Sequence, residues 1–201
     1  APKGRMILPQ QQTIRDVLDS DAVCLVTKET QLETLLSSLP KKPRLVVTDS
    51  QAFGFVNKVV PKDIPLTSFS MLFARYKGDL FALADGADTL DKIRDGDRVL
   101  ISEGCTHHRQ CNDIGTVKLP NWVSKYTGKN LVFDFTSGRD FPEDVSEYSL
   151  VIHCGGCMLN DAEISSRAKR AKAQGVPMTN YGTAIAKMHG ILERAIKPLK
   201  P

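Results

Sequence analysis

The sequence predicts an α/β fold of two consecutive small domains, each a mainly parallel sheet flanked by helices. Three observations carry this. Short apolar runs of strand length alternate with stretches whose apolar residues recur at helical spacing. The alternation pauses once, at the Asp95-Gly96-Asp97 turn, and then starts afresh. In the second half, strand-like runs open directly into loops carrying Cys, Gly and Asn, as at the carboxyl edge of an open parallel sheet. A chain of 201 residues accommodates two such units, so the domains are placed at 1–96 and 97–201.

In the first unit, Ala22-Val-Cys-Leu-Val-Thr27 has the composition of a buried strand, and Leu32, Leu35, Leu36 and Leu39 follow at helical spacing behind a Thr30 to Glu33 capping box. Arg44 to Thr48 repeats the strand pattern. Asp49 or Ser50 then caps a helix carrying Phe53, Val56, Val59 and Val60. Ile64 to Ser68 contains Pro65 and reads as an edge strand, after which Phe69, Leu72, Phe73 and Tyr76 share one helix face. Residues 79–97 read as short helices. Phe53, Phe55, Phe69, Phe73 and Phe81 crowd into this small unit, either filling its core or meeting a second chain.

The second unit opens with the strand Arg98 to Ser102. A helix begun by Pro120 runs to Tyr126 and closes at Gly128. Strands Leu131 to Phe135 and Tyr148 to His153 follow. A helix from Asn160 to Gln174 is opened by an Asn160 to Glu163 pair and ended by Gly175. The strand Val176 to Thr179 and a last helix from Gly182 to about Ile196 complete the unit.

Composition excludes several classes. Hydrophobic residues at 41% and charged residues at 25% are those of a globular protein rather than a disordered one. No apolar run reaches the roughly 18 residues that span a bilayer, and Ala1-Pro-Lys-Gly-Arg5 leads into no signal-peptide core, so the expected location is cytoplasmic. A net charge of +4, with both signs interspersed, is too dilute for a nucleic-acid footprint. The five cysteines are odd in number and irregularly spaced, which argues for reduced thiols instead of a disulfide framework.

Those thiols form one constellation: Cys105-Thr-His107, a long gap, then His153-Cys154-Gly-Gly-Cys157. Two intervening residues let Cys154 and Cys157 turn their sulfurs to one point, and two glycines relieve the steric limits on that turn. The helix that follows directs its positive end at the thiolates. Thiolates and imidazoles so grouped suit a [4Fe-4S] cluster with one iron left to an exchangeable ligand, a structural zinc, or a redox dithiol.

With their flanks these motifs resemble the [FeFe]-hydrogenase maturation GTPase HydF family. The resemblance rests on Glu103-Gly-Cys-Thr-His-His-Arg-Gln-Cys-Asn-Asp-Ile-Gly115, Lys118-Leu-Pro120 and His153-Cys-Gly-Gly-Cys-Met158, with Leu8-Pro-Gln10 and Thr13-Ile-Arg-Asp16 nearer the start. It implies a dimerisation domain followed by a domain that binds a [4Fe-4S] cluster. It further implies a scaffold that carries a diiron precursor bearing carbonyl, cyanide and dithiolate ligands to apo-[FeFe]-hydrogenase, working alongside radical-SAM maturases. The family's GTPase domain has no counterpart here. Gly128-Lys129 lacks both the upstream glycine and the following hydroxyl residue of a phosphate loop, so GTP hydrolysis is not expected of this chain.

The expected iron ligands are Cys105, Cys154 and Cys157, with His107, His153 or His108 as an exchangeable fourth. Glu103 could supply a carboxylate oxygen but, as a loop acid, is expected in solvent. Cys111 reads as a spare thiol and Cys24 as a core residue. Arg139, Asn180 and Gly182 are candidates for holding the anionic precursor, although a plain loop or helix-cap role is the more ordinary reading of each. Arg167, Lys169, Arg170 and Lys172 read as a solvated helix face.

Overall fold

A computed structural model of the chain describes residues 6–104 and 113–200. It is an α/β protein with two separate parallel sheets. Helices α1 (Leu8–Asp19) and α2 (Leu32–Ser38) precede the short strand β1 (Val46–Thr48). Helix α3 (Phe53–Val59) leads to strand β2 (Leu66–Ser68), which pairs with β1 in parallel, Val46 opposite Leu66. Helices α4 (Phe69–Lys77) and α5 (Leu80–Ala87) follow.

The larger sheet is built from β3 (Arg98–Glu103), β4 (Val132–Ser137), β5 (Leu150–His153) and β6 (Met178–Asn180), in spatial order β4-β3-β5-β6 and parallel throughout. A π-helical turn, Ile114–Lys118, runs into α6 (Leu119–Thr127), which ends at Gly128 in the left-handed region. Helix α7 (Asp161–Ala173) is capped by the Asn160 side chain, which accepts from the Glu163 N–H. Helices α8 (Tyr181–Met188) and α9 (Leu192–Ile196) close the chain.

Both faces of the two inner strands are covered, so β3 and β5 are buried on both sides, while the edge strand β4 is not. Val99 and Ile101 of β3 and Leu150 and Ile152 of β5 point into a core that also contains Phe53, Leu66, Met71 and Ile185. Leu100 and Val151 point the other way, against Phe141, Val145, Tyr148 and Ala171 of α7. The first core is continuous across both sheets. Helix α8 makes this possible: all six residues Tyr181 to Ala186 are buried, and the helix packs against α4, α5 and α6. Helix α5 approaches β6 so closely that a Cβ at Gly86 would run into the Met178 carbonyl.

Four local expectations are corrected. Residues 22–27 form no strand. They carry no regular secondary structure and lie at the surface, with Val23 87% and Val26 65% exposed, and Cys24 is half-buried beside them, not in the core. Strand propensity was present there, but among the described residues no strand pairs with it. The Thr30 to Glu33 capping box is absent, since the chain enters α2 through a 3-10 turn whose flanks make no side-chain cap. Tyr76 is 80% exposed, because the buried face of α4 is made by Met71, Phe73 and Ala74. The single last helix is two, parted at Gly190, whose φ of 66° ends one helix before the next begins.

Candidate metal centre

The carboxyl ends of β3, β5 and β6 lie side by side, Ser102 opposite His153 and His153 opposite Asn180, so the segments that follow them start from one edge. Cys154 is the first residue beyond β5. Its N–H donates to the Ser102 carbonyl at 2.8 Å, extending the ladder by one bond. Its sulfur is cradled by two backbone donors, Gly104 N–H at 3.0 Å and Gly156 N–H at 3.4 Å. Thus the residue directly before Cys105 already sits on the sulfur of Cys154. Burial pushes the Cys154 thiol up, opposed by those two backbone hydrogen bonds.

The turn from Cys154 to Cys157 depends on Gly156, whose φ of 63° is costly for any other residue. Burial also raises the Cys157 thiol; the neighbouring Cys154 adds to this and Lys77 opposes it. Lys77 comes from the end of α4. Its ammonium donates to the carbonyls of Gly156 and Cys157 at 3.3 Å and of Leu159 at 2.7 Å, stitching the cysteine turn to the first half of the chain. Its position at the end of a helix gave no sequence signal for this role.

Behind the turn lies a buried polar network. The His153 ring is 3% exposed, with Nδ1 2.8 Å from the Cys154 carbonyl and Nε2 3.1 Å from Nη1 of Arg167. A guanidinium only donates, so Nε2 accepts and the proton sits on Nδ1, donating to the carbonyl. Burial depresses the His153 pKa to about 4, keeping the ring neutral. Arg167 is itself 1% exposed. It donates to Glu163 at 2.7 Å and to the Gly138 carbonyl at 2.7 Å, and stacks over Phe141. The expectation of a solvated basic face therefore fails at Arg167, while Lys169 and Lys172 are exposed as expected. Arg170 turns back to the Phe141 and Pro142 carbonyls.

Glu103 is likewise not in solvent. It is 4% exposed, and the Tyr181 hydroxyl donates to its Oε1 at 3.4 Å. Gly115 is enclosed by both groups, so a side chain there would collide with them. Burial raises the Tyr181 pKa well above its ordinary value, with the Glu103 charge adding to it.

The candidate precursor contacts have defined local roles. Asn180 is 3% exposed; its Oδ1 accepts from Thr183 N–H at 2.8 Å and its amide donates to the Ser70 carbonyl at 3.3 Å, so it caps α8. A Cβ at Gly182 would strike the Ser70 hydroxyl, which packs against the start of α8. Arg139 lies exposed in the turn after β4, and its positive charge helps keep the Glu163 carboxyl ionised, after the hydrogen bond from Arg167.

Cys105, His107, His108 and Cys111 lie outside the described residues. Among the described residues, no group of three or more His, Cys, Asp or Glu is placed to hold a metal ion. What is described fits a soft metal: two thiols on one turn, a sulfur already accepting two N–H groups, and a third cysteine one residue beyond one of those donors. No helix among the described residues is long and apolar enough to cross a membrane.

Comparison with curated proteins gives no match. Two family models do match. Residues 1–78 match the hydrogen maturase F dimerization domain, and residues 81–198 match the hydrogen maturase F tetramerization domain. Both are assembly domains, which supports homo-oligomerization, and neither is a catalytic one. Covered almost from end to end by these two models, the chain belongs to the hydrogen maturase F family, whose business is hydrogenase maturation.

Proposed function

We propose that this chain is the assembly and cluster-holding part of a scaffold that carries a diiron precursor to apo-[FeFe]-hydrogenase, in cooperation with radical-SAM maturases and in the cytoplasm. The observation that carries the reading is the convergence on Cys154: Gly104 and Gly156 both donate to its sulfur, drawing the two cysteine segments to one point. Cys105 follows Gly104 directly in the sequence.

Cys105, Cys154 and Cys157 are the residues that would hold a [4Fe-4S] cluster. Bound there, such a cluster supplies an iron with an exchangeable position for the cargo. The remaining work is done by the chain itself. Gly104 and Gly156 N–H groups stabilise sulfur as thiolate, and Lys77 neutralises charge while fixing the turn through three carbonyls. His153 has both ring nitrogens engaged by protein, so it orients the turn, and the exchangeable position falls to His107 or His108. Asn180 caps α8 and Gly182 makes room for Ser70, leaving Arg139, of the three, as the exposed cation available to an anionic, cyanide-bearing cargo.

The test is anaerobic reconstitution with iron and sulfide. The protein should turn brown and give a reduced-state [4Fe-4S]+ electron paramagnetic signal, and Cys154→Ser or Cys157→Ser should lose it. Unchanged iron and sulfide in those variants rejects the ligand assignment. Stoichiometric zinc without sulfide in protein purified under nitrogen would instead establish a zinc-stabilised interaction module.

A further inference from the structure

Helix α4 belongs to the first matched stretch, residues 1–78, and the cysteine turn to the second, residues 81–198, yet one face of the helix lies along the turn. Ser70 and Lys77 are seven residues apart, two helical turns, and so share that face. At one end a Cβ on Gly155 would come within 3.6 Å of the Ser70 Cβ. At the other, Lys77 reaches the carbonyls of Gly156, Cys157 and Leu159, and its ammonium lies over the Phe73 ring, 5.4 Å from the centroid. An ammonium carries three protons and here meets three carbonyls, so all its donors are engaged.

The consequence lies on the far side of those peptides. They are trans, and in a trans peptide the carbonyl and the N–H of the next residue point in opposite directions. With the carbonyls of Gly156 and Cys157 drawn to Lys77, the N–H groups of Cys157 and Met158 face away from it, and both favour the Cys157 thiolate. The Gly156 N–H lies on the Cys154 sulfur, and the Gly156 carbonyl accepts from the Leu159 N–H as well as from Lys77. One side of the turn is thus lined by carbonyls held on a cation, the other by N–H groups beside sulfur.

We propose that Lys77 is the positioning residue through which the first unit helps to build the metal centre: by holding three carbonyls on one side of the turn it sets the N–H lining on the sulfur side, so that docking of α4 and metal binding by the cysteines are coupled. The proposal rests on the metal-holding reading of Cys154 and Cys157. Such coupling is reciprocal, so a metal bound at the turn stabilises docked α4 as much as docked α4 stabilises the metal. It differs from plain charge neutralisation, which needs no particular orientation of the peptides.

The test compares the full wild-type chain with Lys77→Met, which keeps the stem and removes the donors, and with Lys77→Arg, which restores donors and charge. In metal-free protein, hydrogen exchange at the Gly156 and Leu159 amides should quicken in Lys77→Met while the amides of β3 and β5 keep their protection. Cobalt(II), followed under nitrogen by its thiolate charge-transfer absorption, should bind Lys77→Met about 10–100-fold more weakly than wild type, and Lys77→Arg should recover part of the loss. Saturating cobalt should slow exchange across α4 in the wild-type chain, a measurement that needs no variant. After reconstitution with iron and sulfide, Lys77→Met should have the lower reduction potential, because a cation favours the more negative, reduced cluster. Equal cobalt affinity in wild type and Lys77→Met, or α4 exchange indifferent to bound cobalt, would overturn the coupling and leave the metal centre standing. A wild-type chain that gives no cobalt absorption would overturn the metal-holding reading, and the coupling with it.

Discussion

Two strand-like runs in this chain meet opposite fates. Leu150-Val-Ile-His153 is flanked by β3 on one side and β6 on the other, and its three apolar residues are 0% exposed. Ala22-Val-Cys-Leu-Val-Thr27 is no less apolar, yet it lies on the surface with Val23 87% exposed. Intrinsic preference for extended structure is similar in the two. What separates them is the presence of neighbours in register on both sides and helices on both faces, which turn local propensity into burial. Strand β5 has both neighbours within its own chain, whereas among the described residues the 22–27 run has no strand beside it.

The sharpest way to break the surroundings of β5 is at Arg167. Arg167→Leu would leave the His153 Nε2 and the Gly138 carbonyl without their donor inside the sheet end, while Glu163, 39% exposed, turns to solvent. Leaving a buried acceptor unpaired costs about 1–3 kcal/mol. Urea unfolding followed by circular dichroism should show that loss, and a cost below about 1 kcal/mol would mean that the network carries no stability. A smaller break lies at the joint of α5 and β6. Gly86→Ala pushes a methyl into the Met178 carbonyl, so helix and strand must part, at about 3 kcal/mol. An unchanged midpoint would show that α5 can shift without cost.

These two positions also show where the sequence was silent. The order of strands and helices, the stop at Gly128 and the cap at Asn160 were legible because each rests on residues adjacent in the chain. So was the sheet edge that gathers Gly104 and Cys154, since parallel strands place their following loops on one side. Lys77, Arg167 and Glu103 were not. Lys77 meets the cysteine turn across some eighty residues, Arg167 reads as one of several helix cations, and Glu103 reads as a loop acid; only tertiary packing buries the last two. The strand expected at 22–27 failed for the complementary reason, because its local signal was sound and no strand among the described residues pairs with it.

Acid should sharpen the contrast between the halves. His153 is neutral when folded, with its pKa depressed to about 4 from 6.5. Below pH 6.5 the unfolded chain binds a proton that the folded chain refuses, so folded stability falls as pH drops from about 6.5 towards 4 and levels off below that. Between pH 7 and pH 5 the loss is about 2 kcal/mol for metal-free protein, by 1.36 kcal/mol per pH unit. Replacing His153 with Gln should flatten that slope. A slope that survives in the variant would assign the acid sensitivity to another group.

The smallest expected effect is at the turn that ends α1. Asp21 is the one non-glycine among the described residues with a positive φ, at 54°, and it ends α1 by placing two N–H groups back on the Val17 and Leu18 carbonyls. An L-residue in that region pays about 1–2 kcal/mol, less for Asp than for most, whereas glycine pays almost none but gains freedom when unfolded. Asp21→Gly should therefore stabilise by no more than about 1 kcal/mol. Arg167 and Gly86 are buried in the packed interior whereas Asp21 is exposed and bounds only α1, so its effect should be the smallest of the three. Thermal unfolding of the three variants side by side checks this. A loss of stability in the glycine variant would show that the Asp21 side chain holds the turn by more than its backbone strain costs.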